Sequence, residues 1–342
     1  MTYKKDAAHP QLREARLGGA LPLRQVRGLN TKMDIGNQKM KLSAAALLVV
    51  VPISVMASQV RVMTYNIRFS EGDMNSPDNN WESRREDLAR LVESEKPDVV
   101  GFQEVLPDQR TWLEGRLPQY VFSGCGRNAD RAGGEASPVA YLKERFVVVT
   151  NGTFWLSTTP DEPGSVSWGA RHPRICTWAV LEDKAGGGRF SFANTHTDHK
   201  SEEAREKGML LIIERMRGFG ANAPIVLVGD HNCLECEAPA VAVKKTLKDA
   251  MSLSETPPEG PWRTCNHWKW RDGEMTIADA LRKPVEERSA YGDNIERIDY
   301  IYVSPGTRVL GYRTIAAARP GRNLYPSDHF PTVATLVFPS PK

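Results

Sequence analysis

Apolar, β-branched runs that stop at short polar motifs constrain this chain most. Residues 60–64, 98–102, 190–193, 225–229 and 298–303 have the composition and length of buried strands. The polar groups at the ends of such runs read Tyr65-Asn66, Gln103-Glu104, Asn194-Thr195-His196, Asp230-His231-Asn232, Arg297-Ile298-Asp299 and Ser327-Asp328-His329. Strand ends that converge on one rim of a sheet can gather such distant side chains at a single point. Carboxylates, carboxamides and two histidines together suit a hard divalent cation, a positioned water and an acid/base pair. That is the equipment of metal-assisted phosphoester hydrolysis.

The intervening segments set the architecture. Residues 81–94, with Trp81, Leu88, Leu91 and Val92 on one face, and residues 202–219, with Met209, Ile212, Ile213 and Met216, have helical spacing. The second opens on acidic residues and closes on Gly218 and Gly220. Residues 107–117 and 238–246 read as shorter helices. Residues 139–142, 146–149, 154–156, 175–181, 189–194 and 332–338 read as strands or hairpin arms, two of them joined by a turn at Gly186-Gly187-Gly188. Gly, Asn, Asp and Pro make residues 124–137 and 158–173 loops, and residues 252–296 read as irregular. No internal repeat is present. Many strands in both halves with few helices predict two mixed β-sheets packed face to face and flanked by helices, a four-layer α/β/β/α sandwich in one domain spanning residues 58–342.

Residues 1–57 do not fit that core. Lys39-Met40-Lys41 precedes an apolar run over residues 42–56 that ends in Val55-Met56-Ala57, the order of a signal peptide. Pro52 and the short run argue against a membrane span, although an uncleaved anchor helix is the alternative. The polar residues 1–38 upstream are consistent with a true start at Met33 or Met40. The expected protein is secreted or periplasmic, monomeric, and without a stable membrane span once the signal is removed. The leader carries nine of the 45 Lys and Arg and three of the 42 Asp and Glu, which leaves the remainder three charges to the acidic side. A global basic bias toward nucleic acid is therefore absent, while a local basic patch stays open. Of five cysteines, Cys233 and Cys236 have CxxC spacing without a second pair, which favours a local disulfide or two unlinked thiols over zinc.

The strings MTYNIR (63–68), DVVGFQEV (98–105), NTHTDH (194–199), VLVGDHN (226–232), RIDYIYV (297–303) and YPSDHFP (325–331) occur in that order. With them the chain resembles the endonuclease/exonuclease/phosphatase superfamily, over about residues 60–338. The strings GTFWLSTTP (152–160) and RICTWAVL (174–181) resemble an exported bacterial branch of it. The resemblance implies the same sandwich fold and a Mg²⁺ or Mn²⁺ cofactor.

A carboxylate at a strand end is a good hard ligand, and the resemblance makes Glu104 the principal metal ligand, with Asn66 beside it and Asp328 near the metal. Alternation on an extended segment would point Asp230 and Asn232 together into the site and His231 away. The resemblance gives Asp230 the attacking water, and Asn232 the water or a phosphate oxygen. His196 and His329 suit stabilisation of phosphoryl oxygens and proton transfer. Asp299, on a strand expected beside His329, would fix that imidazole's tautomer. Ser327-Asp328-His329 is no serine triad, because adjacent residues cannot converge in that geometry.

Asp198 and His199 extend a motif without a defined role, and Arg174 could reach a phosphate or pair with a surface acid. Trp168, Trp262, Trp268 and Trp270 cluster in loop-rich segments, where stacking and packing are equally open. The string Thr264-Cys265-Asn266-His267-Trp268 departs from the superfamily's T-F-N-G-F. The function expected is metal-dependent hydrolysis of a phosphate ester, with a small-molecule or lipid-headgroup substrate. The alternatives are a secreted nuclease, for which nucleic acid is the partner, and a non-catalytic binding module.

Overall fold

Apolar residues that fill both faces of a strand call for cover on both sides. Strand β1 (Gln59–Asn66) meets that demand by sending Val60 and Val62 inward between two sheets, and Met63 and Tyr65 outward against helices. The computed structural model describes residues 58–339, apart from Gly187 and residues 221–222, 270–272 and 290–295. The leader expected over residues 1–57 lies outside the described residues. No described helix is long and apolar enough to cross a membrane.

The first sheet adds β2 (Val99–Gln103), β3 (Tyr120–Ser123) and β4 (Val139–Leu142) to β1. The second holds β5 (Phe146–Trp155), β6 (Ile175–Asp183), β7 (Gly188–His196), β8 (Ile225–Asp230), β9 (Lys248–Asp249) and β10 (Asp299–Val303). The chain then returns to the first sheet as β11 (Arg308–Thr314) and β12 (Thr332–Val337). The orders are β11-β12-β1-β2-β4-β3 and β5-β6-β7-β8-β10-β9. Pairs β1–β2 and β7–β8 are parallel and the rest antiparallel, so both sheets are mixed as predicted.

Between the sheets lie Val60, Val62, Val99, Phe190, Phe192, Val226, Val228 and Ile301. Helices α1 (Trp81–Glu95) and α2 (Pro107–Arg116) cover the first sheet, with Leu88, Val92 and Leu113 in its outer core. Helices α3 (Glu202–Phe219) and α4 (Ala238–Lys244) cover the second through Met209, Ile212, Ile213 and Val243. The side chains of Asn80 and Ser201 accept the N–H groups of Ser83 and Ala204 and so start α1 and α3.

Several elements differ from the sequence reading. The two arms expected at 146–149 and 154–156 are one strand, β5, because a register shift between Val148 and Thr150 absorbs the interruption. Strands β3, β9 and β11 lie in segments left unassigned, and the segment 252–296, read as irregular, holds two four-residue helices, Ile277–Ala280 and Val285–Arg288. All five cysteines are free thiols, so Cys233 and Cys236 are unlinked.

One consequence of topology positions the site. Parallel pairing aligns the ends of β1 with β2 (Asn66 opposite Gln103) and of β7 with β8 (His196 opposite Asp230). Antiparallel β10 starts where β8 ends (Asp299 opposite Asp230), and β12 starts two residues before the end of β1, with Thr332 opposite Thr64. All six polar motifs therefore reach one rim.

Candidate active site

The two sheets are locked together just below that rim. Gln103 Nε2 donates to Asn194 Oδ1 at 2.7 Å and to Thr64 Oγ1 at 3.1 Å. Asn194 Nδ2 donates back to the carbonyls of Phe102 and Pro138 at 2.7 and 2.9 Å. These carboxamides are fully buried, so each hydrogen bond made between sheets is one that a sliding sheet would lose. Gly101 permits the approach: a Cβ there would lie 2.5 Å from Val228 Cγ2.

Above this bridge the cleft opens, about 530 Å³ in volume. Six of the eight predicted site residues line it: Glu104, His196, Asp230, Asn232, Asp328 and His329. Asn66 and Asp299 are buried in its wall. Asn66 Nδ2 donates to Glu104 Oε1 at 2.9 Å and to Asp230 Oδ2 at 3.0 Å, and so braces one carboxylate from each sheet. Its Oδ1 accepts from the N–H of Arg68 at 3.0 Å. Asn66 is therefore a donor between two carboxylates in this arrangement, where the sequence reading places it as a ligand beside Glu104. The second oxygen of Glu104 accepts from the N–H of Phe69 at 3.0 Å, and its backbone has a φ of +61°.

Asn232 reaches the cleft by a route different from the one expected. Strand β8 ends at Asp230, and Asn232 takes a φ of +45°, so strand alternation stops before it. Its N–H donates to Asp230 Oδ1 at 2.9 Å, and its Nδ2 to the carbonyl of Thr197 at 3.1 Å. His231 does turn away: it stacks on Tyr300 and Tyr302, each at 5.5 Å, and burial pushes it down to about 3 and keeps it neutral. Ser327 is committed elsewhere, donating to the carbonyl of Asn66 at 2.7 Å.

The two histidines nearest Asp230, His196 and His329, are pushed in opposite directions. His329 Nδ1 lies 2.9 Å from Asp299 Oδ2, and its Nε2 lies 3.8 Å from Asp230 Oδ2. Burial works to lower His329, but Cys265 and Asp299 override it and hold the ring well above its ordinary range. His196 has its Nε2 3.6 Å from Asp230 Oδ2. Burial first, then the charges of Arg174 and Arg127, drives it well below its ordinary range. An imidazolium and a neutral imidazole thus flank one carboxylate. Burial and the charge of Asp299 raise Asp230 to about 7, against the opposing pull of His329 and the donors Asn232 and Asn66.

This crowding is the test of a metal site. Burial also raises Asp328 and Glu135, and Glu104 adds to both. One ligand atom each from Glu104, His196 and Asp230 lies within 4.8 Å of the others. Buried carboxylates that repel one another as ions are what a hard divalent cation relieves, and oxygen donors are what it prefers. The residues fit such an ion.

On the cationic side of the cleft, sequence reasoning names Arg174 and His199 without a fixed role, and it misses His172, Lys200 and Glu135. Arg174, which precedes β6, is 6 % exposed. Its Nη2 lies 3.1 Å from His199 Nδ1, and its Nε and Nη1 have no hydrogen-bond partner. His172, His199 and Lys200 line the cleft with it, and His172 stacks on His199 at 6.0 Å. Glu135, in the loop between β3 and β4, pairs with Arg127 at 2.8 Å and approaches His196 Nδ1 at 3.8 Å. Arg174, left open in the sequence between a phosphate and a surface acid, has its Nε 3.9 Å from the buried Asp198 Oδ2, and nothing local marked Glu135. Asp198 is structural, accepting from the N–H groups of Arg171, Lys200 and Ser201 at 2.8 Å each. Trp262 is packed in the core, Trp268 lies over the Arg84 guanidinium, and Trp270 lies outside the described residues.

The sequence model described as "Endonuclease/Exonuclease/phosphatase family" matches residues 63–329. A solved protein of that description from Bacteroides thetaiotaomicron is 30% identical, with a TM-score of 0.72 over 83% of this chain and 96% of its own. The mannosyl-6-phosphatase of the same organism is 31% identical, with a TM-score of 0.70 over 82% of this chain and 100% of its own. An uncharacterised protein of Acanthamoeba polyphaga mimivirus is 29% identical over 167 residues, 44% of this chain, and the match spans 59% of that protein.

Proposed function

Because the chain belongs to the endonuclease/exonuclease/phosphatase family, we propose that it hydrolyses a phosphomonoester of a small molecule, a sugar phosphate being the substrate class the cleft suits best. The observation that carries this reading is Arg174, a buried guanidinium paired loosely with Asp198, whose Nε and Nη1 make no hydrogen bond, beside the carboxylates of the cleft. A terminal phosphate dianion offers more free oxygens to such a donor than a diester does. The likeness to a mannosyl-6-phosphatase supports the same class. A net acidic balance outside the leader weighs against a nuclease.

The roles follow from the geometry. Glu104 and Asp328, braced by Asn66, would hold Mg²⁺ or Mn²⁺. When bound, that ion supplies Lewis-acid polarisation of the phosphoryl group. Asp230, raised to about 7, takes a proton from the attacking water as the P–O bond to it forms, and Asn232 helps position that water. His329, kept as an imidazolium by Asp299, donates Nε2–H to a phosphoryl oxygen, and neutral His196 donates to another. Arg174 binds the remaining oxygens. The bond to the ester oxygen breaks opposite the incoming water, and the departing alkoxide takes up a proton from solvent to leave as the alcohol.

Release of inorganic phosphate from a panel of hexose phosphates, with and without EDTA, tests this. We expect turnover that chelation abolishes, and a fall of about 10- to 100-fold in kcat/KM for Arg174→Met, the worth of a charge-assisted hydrogen bond. Chelation-resistant turnover removes the metal. Plasmid cleavage that outpaces phosphate release reassigns the protein as a nuclease.

A further inference from the structure

Cys265, His267 and Glu296 sit together on the rim of the cleft, next to His329, and none of the three touches the substrate in the proposed hydrolysis. One ligand atom from each lies within 4.8 Å of the others. Cys265 Sγ is 3.6 Å from His267 Nδ1 and 3.7 Å from Nε2, and His267 Nε2 is 2.8 Å from Glu296 Oε2. A tetrahedral ion with bonds of about 2.3 Å to sulfur and about 2.0 Å to nitrogen sets S···N near 3.6 Å. The thiol is nearly equidistant from both ring nitrogens, so ligation needs a turn of the His267 imidazole that aims one nitrogen at an ion shared with the sulfur, together with a small withdrawal of the carboxylate.

The backbone holds this cluster in place beside the catalytic segment. Cys265 is buried, and it bridges to His329 across an isolated antiparallel pair, which ties the cluster to the reacting groups. His267 has a φ of +52°, a backbone conformation suited to glycine, yet this position carries an imidazole that reaches both neighbours. Hydrogen bonds from the N–H groups of Asn266 and His267 to the carbonyl of Asp328 hold the turn against the catalytic segment.

We propose that Cys265, His267 and Glu296 form a second cation site, specific for a borderline ion of the Zn²⁺ class. Thiolate and imidazole select such an ion against Mg²⁺, which keeps to the all-oxygen donors around Glu104. Binding forms a metal–sulfur bond and releases the thiol proton to solvent. Three protein ligands leave a fourth position, and because all three line the cleft it opens there, to a water or to an anionic oxygen of the substrate.

Titration of the full chain with Co²⁺ in excess Mg²⁺ tests this. We expect one equivalent to bind with a thiolate-to-cobalt charge-transfer band in the near ultraviolet. The band should vanish in Cys265→Ser. His267→Gly, which the local backbone accommodates, should remain folded and bind Co²⁺ at least about tenfold more weakly. No thiolate band in the parent protein overturns the site, as does a band that survives Cys265→Ser and so arises at Cys125 or Cys236. Either result leaves the Mg²⁺-dependent hydrolysis untouched.

Discussion

At the scale of single residues, the chemistry turns on how burial redistributes protons among four neighbours. Asp299 lies behind His329 and contributes to the raised state of both His329 and Asp230, one by attraction and the other by repulsion. Removing its charge therefore moves both groups downward. With Asp230 as the base, activity is lost as pH falls through its pKa; with His329 as the donor, activity is lost as pH rises through the other. Asp299→Asn should shift both limbs of the kcat/KM profile to lower pH and reduce the maximum at least about tenfold. A profile of unchanged position would show that Asp230 and His329 are not the groups that titrate. Asp299 and His329 were legible in the sequence as members of two motifs, but their charge states were not. Those depend on desolvation and on Cys265, which lies 64 residues before His329.

At the scale of elements, the fold must bring two sheets close enough for Asn66 to touch carboxylates from both. Gly101 is the point of closest approach. An alanine there would drive a methyl group into Val228 and Asn194 and disturb the Gln103–Asn194 bridge. We expect Gly101→Ala to cost about 1–3 kcal/mol in urea unfolding. Gly115, near the end of α2, has nothing within 4 Å of its added Cβ. Gly115→Ala should instead stabilise by about 0.5–1 kcal/mol, because glycine gives up more backbone entropy in a helix. Equal effects at both positions would mean that the inter-sheet contact is not tight. Most of these elements were visible in the sequence, because an apolar run or a helical stripe is a local pattern. Strands β3 and β11 escaped: β3 has only four residues, and β11 alternates imperfectly across a register shift between Val309 and Gly311.

At the scale of the whole molecule, the cleft concentrates carboxylates that a cation would relieve, so metal binding and stability are linked. The sign follows from Asp230. Its folded pKa, about 7, is above the ordinary 3.8, so without a cation the folded protein holds an extra proton in that interval. The stability this gives is present at low pH and lost as pH rises through about 7. A divalent cation competes with that proton. The rise in Tm produced by Mg²⁺ should therefore be small near pH 5 and grow toward pH 8, and Ca²⁺-free EDTA should abolish it. A Mg²⁺ effect independent of pH would place the ion away from Asp230.

The sequence by itself determined most of the strands, the helices that cover them and the identity of most side chains proposed to react, because hydrophobic period and motif order are properties of short stretches of chain. Tertiary structure decided the rest. It turned Asn232 into the cleft through a left-handed residue and made Asn66 a brace between carboxylates. It brought Arg174 to the cleft and delivered Glu135 from outside the motifs, and it drives His329 up and His196 down from the ordinary imidazole range. Contact and desolvation belong to groups that meet only when distant segments pack, and no local pattern encodes the charge state that results.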